Sequence, residues 1–167
     1  MNVADLTGLA LDYWVARSLP DFVREIYFTD SGETVAVRGS DRGRPWDGRF
    51  EPSTSWEAAG VVLDRARCFE LSESNEPRTD EPARCVAQFE GSPRKGKVEA
   101  RGATTREALL RAFVKSRFGD TVEAVLRRPQ AVLGTTMAPV GAPSAIGDVG
   151  DLPRPDAQIG DIGAAPR

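Results

Sequence analysis

Apolar residues recur at helical spacing near the start of the chain. Leu6, Leu9, Ala10, Tyr13 and Trp14 fall at i, i+3, i+4, i+7 and i+8, the pattern of a helix with one core-facing side. The spacing predicts a helix from about Leu6 to Ser18. Asp5 or Thr7 can cap its start, and Pro20 forbids its continuation. Leu11 and Val15 widen the apolar side, so this helix is expected to be covered on two sides. Val23 to Thr29 is then rich in β-branched and aromatic residues, Asp30-Ser31-Gly32-Glu33 supplies a turn, and Thr34 to Arg38 alternates with Val35 and Val37 on one face. That is a hairpin signal.

Gly39 to Arg49 reads as a loop, with Trp46 set among arginines and glycines. Trp46 suits either a stacking platform or a plug covering the core beneath the loop, and the plug is favoured. A second helix starts in Pro52-Ser53-Thr54-Ser55-Trp56-Glu57. There Thr54 and Glu57 have the spacing of a capping box, and Trp56, Ala59, Gly60 and Leu63 form the inward face. Cys68 to Leu71 looks extended, and Ser72 to Pro82 is a polar loop. Arg84 to Glu90 alternates with Cys85, Ala87 and Phe89 on one side, Gly91 to Gly96 turns, and Lys97 to Arg101 returns.

The last helix is the plainest. Thr104 and Glu107 make a capping box, and Leu109, Leu110, Phe113 and Val114 form the buried side. Lys115 and Arg117 oppose the helix dipole, and Gly119 is placed to end the helix. Thr121 to Leu126 is read as an edge strand or a short extra helix. The order helix, hairpin, helix, hairpin, helix predicts an α+β domain over residues 1–133: a small antiparallel sheet of two hairpins packed against about three helices.

Composition changes after that. Residues 134–167 hold six Gly, five Pro and no aromatic residue. Such a segment lacks the apolar surface to offset its ordering entropy and is expected to be disordered. Ile146-Gly147-Asp148, Val149-Gly150-Asp151 and Ile159-Gly160-Asp161 recur loosely there. They suit either a docking motif or drift in a disordered tail, and drift is favoured.

Charge and residue usage exclude several classes. The net charge is −3, which argues against broad binding to nucleic-acid phosphates. No apolar run approaches the ~20 residues of a membrane span. Arg17 follows the first apolar stretch rather than preceding it, unlike a signal peptide, so a cytoplasmic protein is expected. The chain has two cysteines, Cys68 and Cys85, and no histidine. Free thiols, no metal site and no cofactor are expected.

Without histidine, an enzyme would need Ser53, Thr54, Ser55, Cys68 or Cys85 as nucleophile and Asp12, Glu57 or a lysine as base. Asp12 and the Ser53-Thr54 turn are candidates to meet in space, with the simpler reading that Asp12 orients the turn by hydrogen bonds. The same turn offers helix-start amides to a small anion. Arg38, Arg42, Arg44 and Arg49 lie upstream, and Trp46 or Trp56 could stack on a base. Asp12, Trp46, Arg49, Ser53, Thr54 and Trp56 are therefore the candidate binding residues.

Three segments carry a family resemblance. Leu6-Thr7-Gly8-Leu9-Ala10-Leu11-Asp12 resembles the L-T-G-x-x-L-D opening of the phage NinX family. Pro52-Ser53-Thr54-Ser55-Trp56 matches its P-S-T-x-W, and residues 108–120 are similar to its closing A-x-R-x-F-V-x-S-x-x-G-D signature. The order and spacing hold over roughly residues 5–123. Gly102-Ala103-Thr104-Thr105 stands where the family has G-P-T-P, and Tyr13-Trp14 where it has a single Trp. The resemblance implies a domain of unknown function found in phages and prophages. The resulting expectation is a non-enzymatic accessory protein binding a phage or host protein. Binding of a nucleotide or phosphate at Pro52–Glu57 is the alternative, and a hydrolase-like enzyme the third reading.

Overall fold

The computed structural model describes residues 1–75, 78–124 and 130–131. Helix α1 (Gly8–Arg17) is preceded by a short 3-10 turn at Val3–Asp5. It leads into β1 (Val23–Phe28), β2 (Val35–Asp41) and β3 (Arg44–Arg49). Helix α2 (Trp56–Leu63) connects these to β4 (Ala66–Glu73), β5 (Ala83–Phe89) and β6 (Val98–Gly102). Helix α3 (Thr105–Phe118) follows, and Gln130–Ala131 forms a two-residue strand, β7.

The α+β class and the three helices agree with the sequence reading. The two hairpins, however, lie in separate antiparallel sheets. One has the order β3-β2-β1, with β7 beside β1, and the other β4-β5-β6. Helix α3 packs on β5 and β6 and also meets α1 and α2, and α1 reaches β1 and β2. One hydrophobic core results, joining Leu11 and Val15 of α1, Ile26, Val35 and Val37 of the first sheet, and Cys85, Ala87 and Phe89 of the second. Leu109, Leu110 and Phe113 of α3 complete it. Burial on β5 alternates without a break, as its sequence does.

The Gly39 to Arg49 segment is not a loop. Strand β2 runs on to Asp41, turns through Arg42 (φ 49°) and Gly43 (φ 87°), and returns as β3. Two consecutive positive φ values make the tight hairpin turn whose twist matches the strands it joins. Pro45 is tolerated because β3 is the sheet's edge. Gly39 is needed for a close approach: a Cβ there would lie 1.9 Å from the Phe22 carbonyl oxygen, which accepts the Ser40 amide at 2.9 Å.

Helix α2 also differs from expectation. Its N-cap is Ser55, without a side-chain cap bond, and the Thr54 hydroxyl donates to the Glu51 carbonyl instead. Its buried residues are Ala58, Ala59, Val61 and Val62, whereas Trp56 is exposed and Gly60 and Leu63 are half-buried. The helix begins at Trp56, one residue later than a Thr54 cap would require. Thr104 does cap α3, with the return bond from Glu107 reaching one residue before the N-cap. The Glu107 amide donates to Thr104 Oγ1 at 3.1 Å, and Glu107 Oε2 accepts the Ala103 amide at 2.8 Å.

Of the segment read as edge strand or extra helix, Thr121 forms an isolated bridge with Asn2, and Leu126 lies outside the described residues. The tail from residue 134 onward also lies outside them. No helix among the described residues is long and apolar enough to cross a membrane.

Candidate functional site

Helix α1 is buried on most of its circumference, and this carries an ionisable residue, Asp12, into the interior at 4% exposure. Its partner comes from the turn before α2. There the Thr54 and Ser55 amides both donate to the Glu51 carbonyl, leaving the Ser53 amide free to point at α1. Asp12 Oδ1 accepts the Ser53 amide at 2.6 Å, and Oδ2 accepts the Ser53 hydroxyl at 2.8 Å. Burial raises the Asp12 carboxyl from an ordinary 3.8 to about 6, against the opposing pull of the two Ser53 bonds. Glu51 adds to the rise and Arg106 opposes it.

Helix α3 closes the arrangement. Arg106, in its first turn, donates from Nε to the Ser53 carbonyl at 2.8 Å. Its guanidinium lies 5.6 Å from the centre of the Trp56 ring, within cation–π range. Trp56 is 48% exposed. Asp12, Ser53, Arg106 and Trp56 thus bind α1, the α2 turn and α3 into one cluster.

The other candidates stand apart from it. Thr54 is exposed and bonded to Glu51. Trp46 packs edge-to-face on Phe22 and Phe50, with ring centres 5.8 Å apart in each case, and its indole N–H donates to the Arg49 carbonyl. This is the plug reading, delivered from a strand rather than a loop. Arg49 itself is exposed on β3. Clefts of about 350, 320, 540 and 370 Å³ open on the surface, and none of the six candidate residues lines them. Among the described residues, no three of His, Cys, Asp and Glu come together as a metal site.

Two buried arginines escaped the sequence reading. Arg111, on the core side of α3, donates from Nε to the Leu6 carbonyl at 3.0 Å and from Nη1 to the Arg101 carbonyl at 2.9 Å. It also pairs with Glu81 and Glu107. Arg65, after α2, holds Asp21 and Asp41 and donates to the Val61 carbonyl at 2.7 Å. The one available signal was Arg111's position between Leu110 and Phe113, a charge set within an apolar row.

The fold and these clusters define a two-sheet α+β domain whose three helices are fastened by a carboxylate–turn clasp and by buried arginines. Several of these residues fall on the segments that carry the family resemblance, Asp12 in the first, Ser53 and Trp56 in the second and Arg111 in the third, while Arg65 and Arg106 lie outside them. Residues 2–117 match the family described as Bacteriophage P22, NinX, and the chain belongs to that family. No curated protein matches it.

Proposed function

We propose that this NinX-family chain is a non-enzymatic, cytoplasmic accessory module that binds a phage or host protein through the surface around Trp56. The observation that carries the reading is the exposed Trp56 ring with Arg106 against it. Tryptophan and arginine are the side chains most enriched among residues that dominate binding energy, and Arg106 is held in place by its bond to the Ser53 carbonyl. A preset pair loses less conformational entropy on binding than two free side chains.

The enzyme and anion readings of the same turn are less well supported. The Ser53 hydroxyl and amide both point at Asp12, so an incoming phosphate would compete with the chain's own carboxylate for them.

The test places a photocrosslinking amino acid at Glu57, next to Trp56 and exposed, and at Glu33 as a control, in cells carrying the phage. One protein is expected to crosslink from position 57, to be displaced by excess unmodified chain and not to be displaced by a Trp56→Ala, Arg106→Ala variant. Equal displacement by that variant, or turnover of a model ester or phosphate substrate lost in Ser53→Ala, would overturn the proposal.

A further inference from the structure

The turn between β5 and β6 gathers positive charge. Arg94, Lys95 and Lys97 come from the turn and Lys115 from α3, and with Val98 and Glu99 they line a cleft of about 370 Å³. The lining carries four cations and one acid, in a chain whose net charge is −3. The Glu99 carboxylate is gripped by Arg84 through bonds of 2.7 and 2.8 Å. Asp120 holds Lys115 at 2.8 Å and Arg94 at 3.7 Å. Lys95 and Lys97 have no ion pair among the described residues.

The turn is braced. The Ser92 hydroxyl donates to the Ser116 carbonyl at 2.8 Å and accepts the Arg94 amide at 3.2 Å. Arg117 donates to the Glu90 and Gly91 carbonyls. Gly119 leaves room for Arg94: a Cβ there would lie 2.9 Å from the Arg94 guanidinium. These bonds fix the turn, and Asp120 holds Arg94 and Lys115 beside the cleft, which lowers the ordering cost of binding a ligand there.

The lining selects among anions. It contains no aromatic ring, so it offers no platform for stacking a base. The cleft gathers only four cations in a chain whose net charge is −3, which disfavours a long polyanion, since that needs an extended basic face. We propose that this cleft binds a compact, multiply charged phosphate group, a site independent of the Trp56 surface.

Calorimetry of the full chain with sodium tripolyphosphate, in about 0.15 M salt, tests the proposal. One ion per chain is expected, bound more tightly than sulfate. Replacing each exposed lysine removes one charge-assisted contact, worth about tenfold in affinity. Lys95→Gln with Lys97→Gln is therefore expected to weaken binding about a hundredfold at unchanged Tm, while Arg42→Gln has no effect. Absence of binding, affinity equal to that of sulfate, or full binding by the double variant would overturn the site. So would tighter binding of a single-stranded oligonucleotide through the same lysines, which would mark a polymer surface instead.

Discussion

Replacing Asp12 by Asn separates the shape of the clasp from its charge. The amide is isosteric with the carboxyl: its oxygen can accept the Ser53 amide, and its NH₂ can donate to the Ser53 hydroxyl oxygen, so both contacts survive. The ionisation does not survive. In the native chain Asp12 is buried and its carboxyl is raised from 3.8 to about 6. The folded state therefore holds this proton more tightly than the unfolded state. The corresponding stability is fully present below 3.8 and is lost as pH rises through about 6. At about 1.4 kcal/mol per tenfold change in proton affinity, the loss is about 3 kcal/mol.

The assay is urea unfolding of wild type and Asp12→Asn at intervals from pH 4 to 7.5; subtracting the two curves removes the other acids. The variants are expected to lie within about 1 kcal/mol of each other near pH 4, with the Asn variant gaining up to about 3 kcal/mol by pH 7.5. Asp12→Ala is expected to be less stable than Asp12→Asn throughout, because it strands the Ser53 amide at about 1–3 kcal/mol. A difference between wild type and Asp12→Asn that stays flat with pH, or grows in the opposite sense, would refute the reasoning.

Two further outcomes are expected. Cys68 is exposed whereas Cys85 is buried, with its thiol pushed up to about 12 by that burial; a thiol reagent on the native protein should label Cys68 quickly and Cys85 only on unfolding, as mass spectrometry would report. Thr104→Ala should lower stability by about 1 kcal/mol, since it removes a side-chain cap. Thr54→Ala should change it by less than half of that in the same urea assay, because Thr54 does not cap its helix.

What was legible in the sequence depended on how local the physics is. Helix α3 was read almost whole because its cap, apolar row and terminal glycine lie within one short stretch. Strand β5 was legible through strict alternation. Strand β3 was not: Pro45 and Gly48 look like loop residues, and only its pairing with β2 makes Arg44–Arg49 a strand. The start of α2 was misread because Ser53, Thr54 and Ser55 are equally good caps on paper. Asp12, on another helix, takes Ser53 out of that set, and Thr54 turns to the Glu51 carbonyl instead. That pairing was anticipated from two family-like segments, but Arg106, its third member, was not. Arg111 stands out in the sequence as a charge in an apolar row, but its partners do not: one of its acceptors, the Leu6 carbonyl, is 105 residues distant.

The strand-like contact between the first residues and those after α3 bears on the order of events during synthesis. The Val3 amide donates to the Asp120 carbonyl, the Val122 amide donates to the Met1 carbonyl, and Asn2 pairs with Thr121. Residues 1–3 are made well before 120–122, so these backbone pairings form only after α3 has been synthesised. Helix α1 can meet β1 and β2 earlier, but its full set of contacts comes equally late, because the Leu6 carbonyl just before it is claimed by Arg111 and part of its surface packs against α3. Closure of the domain thus rests on contacts of very long sequence separation, the kind that slow folding.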